Sequence, residues 1–197
     1  MSGRALPTPL RHRVADTILA ALHDQGTRER LVALGLDKAL AREWCGVDAA
    51  RHYRTVQERA RQASTVLRPL PVRARAGSLD EALGAAAVLF DGGLFFEAHE
   101  VLEPHWRQAG DNLRRALQGL IQVAVGYQHW ADGNLRGAGR CLGAGIAHMK
   151  GQRVGGVDLG PFGEEVARTL VHLGGAMPCV PSFPRRADAG RTPGRMA

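Results

Sequence analysis

The chain has 197 residues, 45% of them hydrophobic and 23% charged, a globular composition that excludes a disordered chain and fits one domain or one domain with an extension. No apolar run approaches the ~18 residues of a membrane span, since the longest, Ala82 to Phe90, stops at Asp91. The net charge of +7 is unevenly spread: residues 1–76 carry 14 basic and 7 acidic side chains, residues 77–176 carry 8 and 11, and residues 177–197 carry 4 and 1.

Helical spacing runs through the whole chain, and no window alternates as a strand would. Thr8 and Pro9 read as the cap and first position of a helix with Val14, Ile18, Leu19 and Leu22 on one face, ending near Gly26. Short helices follow at 28–34 and 37–45, each stopped by a glycine, Gly35 or Gly46. Asp48 is placed to cap a longer helix. Its residues Tyr53, Val56, Ala60, Ala63 and Leu67 step by three and four and form a seam for packing. Residues 68–77 hold two prolines and three arginines without a period and read as a linker.

Ser78-Leu79-Asp80-Glu81 is a capping box opening a helix whose buried stripe is Leu79, Leu83, Ala86 and Phe90. Asp91-Gly92-Gly93 turns into a second helix, Leu94 to Gln108. Asp111 or Asn112 caps a third, running to about Ala131. Asn134 caps a fourth, to about Lys150. A loop at 155–160 precedes a last helix opened by Pro161, with Phe162, Val166, Leu170 and Leu173 inward. The expected fold is therefore all-α: a bundle of about five helices at 77–176, a basic helical extension with linker at 1–76, and a Pro/Arg-rich disordered tail at 177–197. Tyr53, Val56 and Leu67 are expected to dock the extension on the bundle.

Cys45, Cys141 and Cys179 lie far apart with no Cys-x-x-Cys, so neither a disulfide framework nor a cysteine zinc site is indicated. The first 13 residues offer no apolar h-region, and a reduced, cytoplasmic setting is the expectation. Only two of the 26 basic residues are lysines. A basic extension can bind nucleic acid, but its arginines are interleaved with little aromatic surface beyond Tyr53, which argues against single-strand binding.

The third bundle helix is apolar nearly all round, with no charge from Ala116 to Ala131, yet Gln118, Gln122 and His129 recur on one side of it. At roughly 100° per residue the three lie within about 40° of one another. Buried polar groups need partners, since one left unpaired away from water costs about 1–3 kcal/mol. The helix before it offers them: His99 and Glu103 are one turn apart, with Trp106 continuing their face and Glu100 and Phe96 beside it. Across an antiparallel hairpin, His99 and Glu103 would face Gln122 and His129.

Two readings compete. In one, His99, Glu103 and His129 hold a divalent metal such as zinc, iron, manganese or nickel, leaving a coordination position for a small-molecule ligand. Glu100 then serves as general base in a hydrolytic site, with Trp106, Gln122 and Asn134 around it. In the other, the same side chains form a closed hydrogen-bond network that fixes helix register in a non-enzymatic interaction module. That module would be dimeric through the glycine-rich fourth helix (Gly137, Gly139, Gly143, Gly145). Close helix–helix approach is the simpler role for those glycines.

The stretch Phe96-Glu97-Ala98-His99-Glu100-Val101-Leu102-Glu103-Pro104-His105-Trp106 carries the pattern His-x-x-x-Glu-x-x-Trp. It is followed by Gln118-Gly119-Leu120-Ile121-Gln122, by His129, and by Asn134 and Gly137-Ala138. In order and spacing this resembles domain-of-unknown-function family 309, a helical bacterial and archaeal domain, over roughly residues 78–176. The resemblance implies an all-helical fold and metal binding by His99 and Glu103 beside Trp106, with Glu100, Gln122, His129 and Asn134 as neighbours. It implies no particular reaction. Pro104 lies inside this motif. It removes an amide that would bond the Glu100 carbonyl, so the helix must bend or end there, which puts the His99–Glu103 pairing at stake.

Overall fold

Almost every apolar stripe folds as the helix its spacing predicts. The computed structural model describes residues 6–75, 77–175 and 179–186, and among them are nine α-helices. In chain order they are α1 (Thr8–Ala20), α2 (Gln25–Leu36), α3 (Lys38–Cys45), α4 (Tyr53–Leu67), α5 (Leu79–Asp91), α6 (Phe95–Gln108), α7 (Asp111–Ala131), α8 (Leu135–Met149) and α9 (Gly160–Leu170). Five of them, α5 to α9, lie in 77–176, and the N-terminal part folds four more that share a continuous apolar core with these, so the bundle is larger than the five-helix unit expected. No helix among the described residues is long and apolar enough to cross a membrane.

Local chemistry explains most boundaries. Asp37 ends α2 and caps α3, its carboxylate accepting from the amides of Ala39 and Leu40 at 2.7 and 3.1 Å. Gly35, expected to stop α2, lies inside it, packed against Arg61. Asp48 falls in a 3-10 turn at Val47–His52, its side chain outside the described residues, and α4 starts only at Tyr53. Ser78 accepts from the Glu81 amide at 3.2 Å, and Glu81 reaches back to the Gly77 amide at 2.6 Å, one residue earlier than a standard capping box. The loop expected at 155–160 supplies the turn and the second strand of a two-stranded hairpin, β1 (Arg153–Val154) with β2 (Val157–Asp158). Gly155 and Gly156 both take positive φ there, which the tight turn requires.

The core is centred on α7. Its Tyr127 is fully buried and donates to the hydroxyl of Thr169 on α9 at 2.6 Å, while Thr169 donates to the Val166 carbonyl at 2.8 Å. Burial pushes the Tyr127 phenol up to about 12, against the pull of that hydrogen bond. Helices α7 and α8 approach through glycine: a Cβ on Gly119 would fall 2.5 Å from Met149, and one on Gly145 would fall 2.9 Å from the Gly119 carbonyl oxygen. Of the four α8 glycines, Gly145 makes the close approach to α7, Gly137 sits against Asn134 and His129, Gly139 meets Leu173, and Gly143 has open space. The segment 179–186, expected to stay clear of the bundle, packs against it. Phe183 is buried against Phe90 and Phe162, and its amide donates to Asp91 at 2.7 Å.

The N-terminal helices meet the rest through charge as well as oil. Val56, Ala60, Ala63 and Leu67 line the buried side of α4, which packs chiefly on α2 and α3. Tyr53 is only half-buried, under the cations of Lys38, Arg42 and Arg54. From α4, Gln62 donates to the Gly92 carbonyl at 2.8 Å and Arg59 pairs with Glu97 of α6 at 2.6 Å. Glu97 is 1% exposed. Burial raises its pKa, and the Arg59 guanidinium pulls it the other way. Removing one partner of a buried pair strands the other, at about 3–5 kcal/mol. Arg59→Leu is therefore expected to lower unfolding free energy by about that amount in urea titrations, and Arg59→Leu/Glu97→Leu to recover most of it. A single-variant loss below about 1 kcal/mol, the range of exposed ion pairs, would contradict the assignment.

Candidate metal centre

Helix α6 carries three chemistries on separate sectors. Phe95, Ala98 and Leu102 point into the core, Glu97 points to Arg59, and His99, Glu100 and Glu103 share the remaining partly exposed face. His99 and Glu103 are one turn apart, and Glu100 lies beside them at the i+1 and i−3 positions. Pro104 does not end the helix, which runs on to Gln108, so Glu103 stays in register with His99.

These three residues form the group. One ligand atom from each lies within 4.8 Å of the others. His99 Nδ1 is 3.5 Å from Glu100 Oε1, and His99 Nε2 is 3.9 Å from Glu103 Oε2. Neither is a hydrogen bond, and Nδ1 of His99 is a buried polar atom without a hydrogen-bond partner. Arg107 donates to the other oxygen of Glu103 at 2.8 Å. From α1, His12 brings its Nδ1 to 3.6 Å from Glu100 Oε1, and its ring meets Phe96 edge-on at 5.3 Å.

An imidazole with an orphaned nitrogen, flanked by a carboxylate on either side of its ring, is a donor set of the kind that divalent cations take. Beside it lies a cleft of about 310 Å³ between α1, Arg75, Gly77 and Ser78, α5 and α6. Glu100 belongs to its wall, with Leu19, Leu22, Val101 and Pro104 as apolar lining and His23 and His105 as polar lining.

The other expected site residues lie elsewhere. His129 does not join the group. It sits at the last turn of α7, its Nδ1 3.3 Å from the Asn134 amide nitrogen, while the Asn134 oxygen caps α8 through the Gly137 amide at 3.0 Å. The cause is reach: Phe95 at the start of α6 already packs on Tyr127, so in an antiparallel hairpin His129 falls past the α6 N-terminus, more than a turn from the level of His99. Gln122 turns to α8, where its carbonyl oxygen, which can only accept, lies 2.7 Å from His148 Nδ1 and so fixes the ring proton there. Trp106 lies at the base of the hairpin under the guanidinium of Arg114, 4.7 Å from its ring centroid. Gln118 shares that surface with Asp111, Arg115 and His148. The expected polar seam is thus divided between α6 and α8. Sequence reasoning missed His12, which comes from a helix remote in the chain, and Glu97, which stands in the first turn of α6 with no signal of its burial.

Residues 83–141 match the family model described as Domain of unknown function (DUF309). The match spans 59 of the 197 residues, and over that stretch the chain is similar to the family. The DUF309 segment takes in most of α5, all of α6 and α7 and the start of α8, so His99, Glu100 and Glu103 lie inside it and His12 outside. No curated protein and no solved structure matches the chain.

The division of the polar seam has a measurable consequence. Gln122→Leu strands the His148 ring nitrogen between α7 and α8, with an expected loss of about 1–2 kcal/mol in chemical denaturation. An unchanged midpoint would mean that water replaces the Gln122 amide at no cost.

Proposed function

We propose that this protein binds a divalent cation through His99, Glu100 and Glu103 and acts on a small molecule held in the adjoining cleft. The observation that carries the reading is the buried, unpartnered Nδ1 of His99 beside Glu100, with Glu103 next to the other ring nitrogen on the same helix face. Zinc, iron, manganese or nickel fits this donor set. When bound, such an ion supplies Lewis acidity and a place for substrate oxygen. The chain supplies the rest. Helix α6 sets the ligand spacing, Arg107 holds one oxygen of Glu103, and the apolar cleft walls beside Glu100 orient a ligand and thin out water. Glu100, expected as a base, stands among the donors in this reading, and His105 and His23 on the cleft wall are the groups placed to move protons there.

A second reading has one observation in its favour. Arg107 already neutralises Glu103, as a purely structural network would have it.

Elemental analysis of untagged protein and calorimetric titration of the chelator-treated chain with Zn²⁺ separate the two. The expected result is one ion per chain, with affinity lowered by about tenfold or more in His99→Ala and in Glu103→Ala and unchanged in His129→Ala. Absence of tight uptake by the folded wild type, or equal uptake by all three variants, would favour the structural network.

A further inference from the structure

We infer that the groove between α2 and α4 binds a small amphiphile, an apolar chain or ring carrying an oxyanion head. The groove is a cavity of about 690 Å³, within the size range of small-molecule sites. It shares no residue with the cleft beside Glu100 and lies wholly outside the matched span 83–141. Two helix faces form its walls. From α2 come Arg28, Glu29, Val32 and Leu36. From α4 and its C-cap come Arg61, Ser64, Thr65 and Arg68, at the i, i+3, i+4 and i+7 positions of one side. Leu70 and Val72 of the segment after α4 add a third wall.

Apolar surface is gathered here. Six large hydrophobic side chains are exposed among the described residues, and three of them, Val32, Leu36 and Val72, line this groove. Leu36 is 74% exposed. Apolar side chains collected on one concave surface gain by covering themselves with an apolar ligand.

The polar lining is cationic. Arg28, Arg61 and Arg68 stand against a single carboxylate, Glu29, whose Oε1 already accepts from Gln25 at 2.9 Å. Arg61 is held in place: its Nε donates to the Gly35 carbonyl at 2.6 Å, and Gly35 lacks the Cβ that would fall 2.9 Å from Arg61 Cγ. Arg28 fastens the third wall, its Nη1 donating to the Leu70 carbonyl at 2.6 Å, while its Nη2 is buried with no hydrogen-bond partner. The Arg68 guanidinium makes no hydrogen bond or ion pair among the described residues. The cationic side of the groove is therefore short of acceptors, and a guanidinium takes oxyanions in a two-pronged fork. An oxyanion at Arg61 and Arg68, with its apolar body against Val32, Leu36 and Val72, satisfies both kinds of surface at once.

The test titrates the full chain by calorimetry with decanoate, decyl phosphate and neutral decanol. The proteins are wild type, Arg68→Gln, Val32→Glu and, as a control at an exposed apolar residue elsewhere, Val171→Glu. Melting curves first establish that each is folded. The expected result is one saturating site per chain for at least one of the two anions, the tighter of them naming the head group, with decanol weaker by about tenfold or more. Arg68→Gln and Val32→Glu should each weaken the anion by about tenfold or more, and Val171→Glu should leave it unchanged. Hydrogen exchange in the wild type should slow in α2 and at residues 70–72 when the anion is added. No saturable uptake of either anion would overturn the proposal, as would equal affinity for decanol or an affinity untouched by both groove variants. A wild-type dimer in sedimentation that Val32→Glu splits, with no anion uptake, would overturn it too and put a second copy of the chain in the groove.

Discussion

A carboxylate buried in an apolar interior must be met by a cation, and in this protein the cation comes from another part of the chain. Glu97 faces inward from α6 and is answered by Arg59 of α4. Arg185 of the C-terminal segment likewise bonds Asp91, and the imidazoles of His12 and His23 lie beside Glu100 and Glu81. Each pair joins a basic end of the chain to its acidic middle. Part of the uneven charge along the sequence thus serves to dock its ends on its middle. With Glu97 committed to α4, the rotation of α6 about its axis is set, and His99, Glu100 and Glu103 are left on the side that α1 overhangs.

The same pattern explains why the basic residues are arginines. A planar guanidinium can clamp carbonyl oxygens while its stem packs on apolar surface. Arg28 donates to the carbonyls of Ala21 and Leu70, Arg61 to that of Gly35, and Arg13 to that of Trp44 while lying over the Trp44 ring. Lysine offers neither the fork nor the flat face. Many of the basic side chains that suggested nucleic acid are occupied inside the N-terminal half, holding together loops that its small helices could not secure alone.

Local signals in the sequence specified local structure well. The stripe of α4, the serine cap of α5, the asparagine cap of α8 and the i, i+4 relation of His99 and Glu103 are short-range features, and each stands in the structure. Partner choice across helices was not legible. Gln122 was equally placed by spacing to face α6 or α8, and the glycines that bring α7 and α8 together decided for α8. His129 lies beyond the reach of His99 because hairpin register, fixed by Phe95 against Tyr127, is a packing outcome and not a spacing. Phe183 was hidden by the composition of its surroundings: a polar, proline-rich segment can still bury one aromatic ring. His12 required knowledge of which helix covers α6, which no periodicity encodes.

The proposed cation would sit on α6 between imidazole and carboxylate. Anomalous difference maps from crystals grown with Zn²⁺, collected at the zinc edge, test this most directly. The predicted result is one peak about 2.0–2.2 Å from an imidazole nitrogen of His99 and from carboxylate oxygens of Glu100 and Glu103. A map with no peak there, and with His99 instead closing a hydrogen bond to either glutamate, would contradict it.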